Sequence, residues 1–117
     1  MSFQGDINRF AKRTELEMEI VIRKLVFEAH KMVSMKTPVA TGRARGNWNV
    51  SVNTIDRSID LNKKGYKSST LRKGDGLKTN YIVNSLPYIN ALENGHSKKA
   101  PNGMVAITIN ELRNSLK

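Results

Sequence analysis

Cysteine is absent from the chain. That excludes a disulfide framework, a thiolate nucleophile and a cysteine-ligated metal, and it fits folding in a reducing cytosol. Histidines number two, His30 and His96, and neither has a second histidine at metal-ligand spacing. The seven aromatic residues are not interleaved with the basic ones, Tyr66 apart, so a base-stacking surface for nucleic acid is not written into the chain. No stretch approaches eighteen apolar residues, and Met1-Ser2-Phe3-Gln4-Gly5-Asp6 shows no basic region followed by an apolar run. The sequence therefore predicts neither a membrane span nor a secretion leader. Acidic residues are scarce: ten face twenty Lys and Arg, a net charge of +10.

What is present fits one domain, 1–117, with room for a single core. The basicity is uneven. Residues 1–36 carry seven Lys and Arg against five Asp and Glu, whereas 37–117 carry thirteen against five. The densest piece is 62–78, where Lys63, Lys64, Lys67, Arg72, Lys73 and Lys78 face only Asp75. Such a segment attracts phosphate or an acidic protein surface through its field alone, with no sequence reading implied.

Hydrophobic spacing sets the expected elements. Ile7, Phe10, Ala11, Thr14, Met18, Val21, Ile22, Leu25, Ala29, Met32 and Val33 recur at three- and four-residue intervals, which predicts an amphipathic helix over 6–35. Asp6 suits its N-cap and Pro38 ends it. At 1.5 Å per residue the helix would be about 45 Å long, more than a domain of this size needs for its own core, so part of its stripe is expected to meet a neighbouring subunit. Thr37 to Gly46 reads as a loop. Trp48, Val50 and Val52 alternate with Asn47, Asn49, Ser51 and Asn53, a strand pattern with the tryptophan as a core anchor. Ile55, Ile59 and Leu61 suggest a second strand, so that strands cover 47–61, and a third is expected at 79–84. The glycines and serines of 62–78 predict a long mobile connection. Pro87 opens a short helix over 87–94, and Val105, Ile109, Leu112 and Leu116 favour a final helix over 103–116 rather than a strand. The expected fold is α+β: a long N-terminal helix packed on a small antiparallel β-sheet, a short helix after Pro87 and a C-terminal helix.

Catalytic chemistry finds little purchase. His96-Ser97 is a pair of sequence neighbours without a Gly-x-Ser-x-Gly elbow, and Gly42 and Gly46 lack the spacing and lysine of a phosphate loop. Glu93 is a lone acid, better suited to pairing with Arg43 or Arg45, in its own or an adjacent chain, than to acid–base work. No enzyme activity, cofactor or metal is expected.

Two dense motifs remain. Thr37-Pro38-Val39-x-Thr41-Gly42-Arg43-x-Arg45-x-x-Trp48 is followed by Pro87-Tyr88, by Leu92-Glu93-x-Gly95-x-Ser97, and by Ala100-Pro101-x-Gly103-Met104. Together they resemble the tail-completion or head–tail connector (neck) family of tailed bacteriophages. The resemblance runs from the helix before Thr37 to the C-terminus, with 54–80 matching nothing. It implies a structural virion protein, made in the host bacterial cytoplasm and placed in the neck, that joins the DNA-filled head to the tail as a homo-oligomeric ring. Its implied partners are itself, connector or portal-side and tail-side virion proteins, and, non-specifically, packaged DNA. On this reading Arg43, Arg45, Glu93, His96, Lys98 and Lys99 make assembly contacts. Lys63, Lys64, Lys67, Arg72, Lys73 and Lys78 face DNA or a neighbouring ring. The alternative is a small basic, non-enzymatic nucleic-acid-binding domain gripping phosphates with the same cations.

Overall fold

The computed structural model describes residues 3–38, 43–94 and 103–115. The chain is α+β. Helix α1 (Phe3–Lys36) is followed by a single helical turn, α2 (Arg43–Gly46), strand β1 (Asn49–Val52), a 3-10 turn (Asp75–Leu77), strand β2 (Asn80–Val83), and helices α3 (Ile89–Glu93) and α4 (Val105–Ser115). The final segment is thus a helix, as its apolar spacing predicts. Asp6, expected as a cap, lies inside the first turn of α1, and Arg43–Gly46, expected as loop, is helical.

The molecule is elongated, 62 × 30 × 18 Å, with a radius of gyration of 17.5 Å, against the roughly 13 Å of a compact chain this long. The excess is α1. Its 34 residues span about 51 Å, and only the second half meets the rest of the fold. Gln4 and residues 6–18 are exposed, whereas Glu19, His30, Val33, Ser34 and Thr37 are buried and Val26 is half-buried. Glu19, Val26, His30, Val33 and Thr37 share one helical face, turned by about 110° from the line through Met18, Leu25 and Met32. The apolar stripe is therefore split. Ile7, Phe10, Ala11, Thr14, Met18 and Val21 are exposed; Ile22, Leu25, Ala29 and Met32 are half-buried; Val33 alone is buried.

The sheet is a two-stranded antiparallel pair in the register Asn49↔Val83, Val50↔Ile82, Ser51↔Tyr81 and Val52↔Asn80. The core is Val33, Trp48 and Met104, with Ile82, Ile89 and Val105 against it, so it joins α1, the start of β1 and the first turn of α4. The strand expected around Ile55, Ile59 and Leu61 is absent, and all three side chains are exposed. Asparagine amides hold this segment instead. Asn47 donates to the Asp60 carbonyl at 3.0 Å and accepts from the Asp60 N–H at 2.8 Å. Asn49 donates to the carbonyls of Ser58 at 2.8 Å and Asp56 at 3.2 Å. This inverts the expected alternation: Asn47 and Asn49 are buried, Val50 and Val52 half-buried, because a buried amide with its groups paired has no uncompensated desolvation.

The 62–78 connection, expected as mobile, ends in a structured turn fastened to α1. The carboxylate of Glu19, 2% exposed, accepts the Gly74 N–H at 2.5 Å and the Gly76 N–H at 3.5 Å and pairs with Arg23 at 2.6 Å. Gly76 lies so close to the Glu19 carbonyl that an added Cβ would overlap it.

Candidate assembly surface

The first motif is used largely inside the chain. Pro38 cannot continue the helix, so the last carbonyls of α1 need other donors. Arg45 supplies them, donating from Nε and Nη2 to the Thr37 carbonyl at 3.2 and 3.0 Å and from Nη2 to the Met35 carbonyl at 3.0 Å. The Thr37 hydroxyl donates to the Val33 carbonyl at 2.7 Å and accepts the Trp48 indole N–H at 2.8 Å. His30 Nε2 lies 3.0 Å from the Trp48 carbonyl, and its ring meets that of Tyr66 at 5.2 Å between centroids. Burial pushes the imidazole pKa down, against the opposing pull of the Trp48 carbonyl. The same effect pushes the Tyr66 phenol up, with the charge of Glu28 adding to it.

The second motif is a helix cap. Where its sequence surroundings suggest pairing with Arg43 or Arg45 of the same or an adjacent chain, the Glu93 carboxylate within the chain receives backbone donors. Its Oε1 accepts the N–H groups of Met104 and Val105 at 2.9 and 2.8 Å, and Oε2 accepts that of Ala106 at 3.3 Å. A carboxylate at the N-terminus of α4 meets three orphan donors and the positive end of the helix dipole, which satisfies it better than an exposed arginine would. Gly103 makes this possible. Its φ of 83° lies in the left-handed region, and a Cβ there would come within 2.6 Å of both the Glu93 carbonyl and Oε2.

Of the expected assembly residues, Arg45 and Glu93 thus serve the fold, Arg43 is exposed at the start of α2, and His96, Lys98 and Lys99 lie outside the described residues. The 62–78 cations fall into two groups. Lys63, Lys64 and Lys67 line a cleft of about 520 Å³ with His30, Arg45 and Trp48. Arg72, Lys73 and Lys78 surround the 3-10 turn. There Asp75 accepts the Arg72 backbone N–H at 2.7 Å and pairs with Lys78 at 3.3 Å, contacts that hold its carboxyl below the usual carboxylate range. Glu19 is lowered too: burial pushes it up, but the N–H groups of Gly74 and Gly76 and the Arg23 guanidinium outweigh that.

Two apolar features on α1 complete the surface. The projecting half carries Ile7, Phe10 and Met18 at 43, 73 and 53% exposure. Further along, Val21, Leu25 and Met32 join Leu112 of α4 in a groove of about 510 Å³ rimmed by Lys24, Glu28 and Glu111. Among the described residues no group of three or more His, Asp or Glu is placed to hold a metal ion, and no helix is long and apolar enough to cross a membrane. No protein-family model matches this chain, and comparisons with curated proteins and with solved structures likewise find no match.

Proposed function

We propose that this chain is a structural virion protein of a tailed phage, a head–tail connector or tail-completion component that works by ring assembly and protein–protein contact. The observation that carries the reading is the projecting half of α1. A helix that leaves Ile7, Phe10 and Met18 in water lacks the covering that an apolar stripe finds in a folded monomer, and it is stabilised when another surface covers it. The two motifs that resemble the neck family agree with a scaffold role: their Arg45, Glu93 and Gly103 fix where α1 ends and α4 begins. The lysines around the cleft suit a loop facing DNA or an acidic ring surface.

Light scattering over a concentration series, with negative-stain images of any early-eluting species, tests the proposal. A closed ring or tube supports it. A strict monomer, both alone and with tail-side or portal-side proteins, removes it. The nucleic-acid-binding alternative is separated by titration with short duplex DNA. Channel-facing charge gives weak, salt-sensitive, non-specific binding, whereas micromolar or tighter binding with sequence preference at physiological salt favours the alternative.

A further inference from the structure

We infer that the cleft between α1, α2 and residues 60–67 is a binding site for a phosphate group, carried either by a small phosphorylated molecule or by a nucleic-acid backbone. Every wall belongs to one chain, so the inference goes beyond the ring reading and needs no assembly.

The cleft is a built concavity rather than a basic run in solvent. Its volume of about 520 Å³ lies in the range of small-molecule sites. The lysine-bearing wall is fixed through Asp60. Asn47 holds the backbone of that residue by both its groups, the Lys63 N–H donates to its carbonyl at 3.1 Å, and the Asn62 N–H donates to its carboxylate at 2.9 Å. Gly46 of α2 comes so near the same wall that a Cβ would lie 2.9 Å from the Gly65 carbonyl oxygen and 3.1 Å from that of Lys63. Backbone packing therefore holds α2 against the lysines, and little backbone ordering is left for a ligand to bring about.

Charge selects an anion. Arg45, Lys63, Lys64 and Lys67 line the cleft against Asp60, a surplus of three positive charges over the lining. None of the four forms an ion pair among the described residues. The acids close by are engaged elsewhere. Asp60 faces the Asn62 N–H, and Asp56, whose charge reaches Lys63, accepts the Ser58 N–H at 2.9 Å. Glu28 acts on the Tyr66 phenol but lines the α1–α4 groove, not this cleft.

The donors left over select phosphate among anions. A carboxylate is held best by the two-pronged edge of a guanidinium. Arg45 has committed Nε and Nη2 to the carbonyls of Thr37 and Met35, which leaves Nη1. The site then offers point charges from two sides, one from α2 and three from the lysine wall, and these answer the tetrahedrally arranged oxygens of a phosphate better than the planar pair of a carboxylate. His30 adds a second sign of an unfilled site. It lines the cleft at 5% exposure with Nε2 on the Trp48 carbonyl, and its Nδ1 has no partner among the described residues, a buried polar group of the kind that folds rarely leave unsatisfied.

Amide shifts of the nitrogen-15-labelled chain test the site. Inorganic phosphate is titrated at an ionic strength held constant with chloride, and acetate is titrated in parallel. The expected result is saturable shifts at Gly46, Lys63, Lys64, Gly65 and Lys67 with phosphate and none with acetate. Lys64→Gln/Lys67→Gln should weaken phosphate binding by at least about tenfold. Arg72→Gln/Lys73→Gln removes the same charge outside the cleft and should change it by less than about twofold. Urea midpoints followed by Trp48 fluorescence establish that both variants keep the parent fold. Two further probes separate the sources: a nucleoside 5′-monophosphate, and a short duplex DNA with 5′-hydroxyl ends, which carries only diesters. Competition of inorganic phosphate with the monophosphate alone assigns the site to small phosphorylated molecules; competition with the duplex assigns it to a nucleic-acid backbone. Shifts that saturate with none of the three phosphate probes overturn the inference. So do shifts that acetate reproduces, or binding that both double variants weaken equally. Those outcomes leave the ring reading standing, because light scattering decides it independently of phosphate.

Discussion

Replacing Glu93 with alanine tests the cap reading of the second motif. The side chain accepts three N–H groups, from Met104, Val105 and Ala106, at 2.8–3.3 Å, at the point where Met104, 0% exposed, enters the core. Losing an N-cap acceptor costs about 1 kcal/mol, and losing a negative charge at a helix N-terminus adds about 0.5 kcal/mol. Leaving a second part-buried N–H, of Met104 or Val105, without an acceptor brings the sum to about 2 kcal/mol. At about 2.1 cal/mol/K per residue, 117 residues give an unfolding entropy near 0.25 kcal/mol/K, so the midpoint should fall by about 8 °C. Glu93→Gln keeps one acceptor oxygen and should lose about half as much. Thermal unfolding followed by circular dichroism gives both midpoints, and amide exchange at Met104 to Ala106 localises the change. An alanine variant within about 2 °C of the parent, or a glutamine variant as unstable as the alanine one, would refute the cap.

Three further outcomes follow from the buried groups. His30 has its pKa lowered by burial, so the unfolded chain binds its proton more readily; stability is full above the ordinary value of about 6.5 and falls as pH drops below it. Denaturant midpoints from Trp48 fluorescence between pH 8 and 5 should show that slope, and His30→Gln should flatten it. Glu19 is lowered from 4.5, so its contribution is present above that value and is lost as pH falls through the folded pKa. Glu19→Gln should remove this acid-side loss and raise amide exchange at Gly74 and Gly76 at neutral pH. Gly76→Ala forces the turn away from the Glu19 carbonyl and should cost about 1–3 kcal/mol by overpacking, read as a lower urea midpoint; an unchanged midpoint would contradict the close approach.

The helices were legible because their signals are local. The spacing from Ile7 to Val33 marks α1, Pro38 its end, and Val105 to Leu112 the last helix, all through contacts within a few residues. What stayed hidden depends on partners far along the chain. Asn47 and Asn49 read as the solvent face of a strand, since alternation carries no sign of amides pairing with Asp60 and Ser58. Glu19 reads as one more charge on a helix, because its donors lie 55 and 57 residues away. Glu93 and Arg45 read as charges for pairing across the motifs or between copies. Each instead answers the orphan backbone groups of the nearest helix end, a competition that counts of opposite charges do not reveal.

The asparagine clasp also decides where the chain tolerates changes of length. A backbone ladder accommodates a two-residue slip, because every second position repeats the same pattern. Asn47 grips both the N–H and the carbonyl of a single residue, Asp60, and offers no second register. The stretch from Asn49 to Asp60 is therefore a ruler of fixed length, where an inserted residue must break a buried amide pair. Between Lys67 and Ser68, both exposed, no such clasp operates, and an epitope or reporter inserted there should leave α1, the sheet and α4 in place.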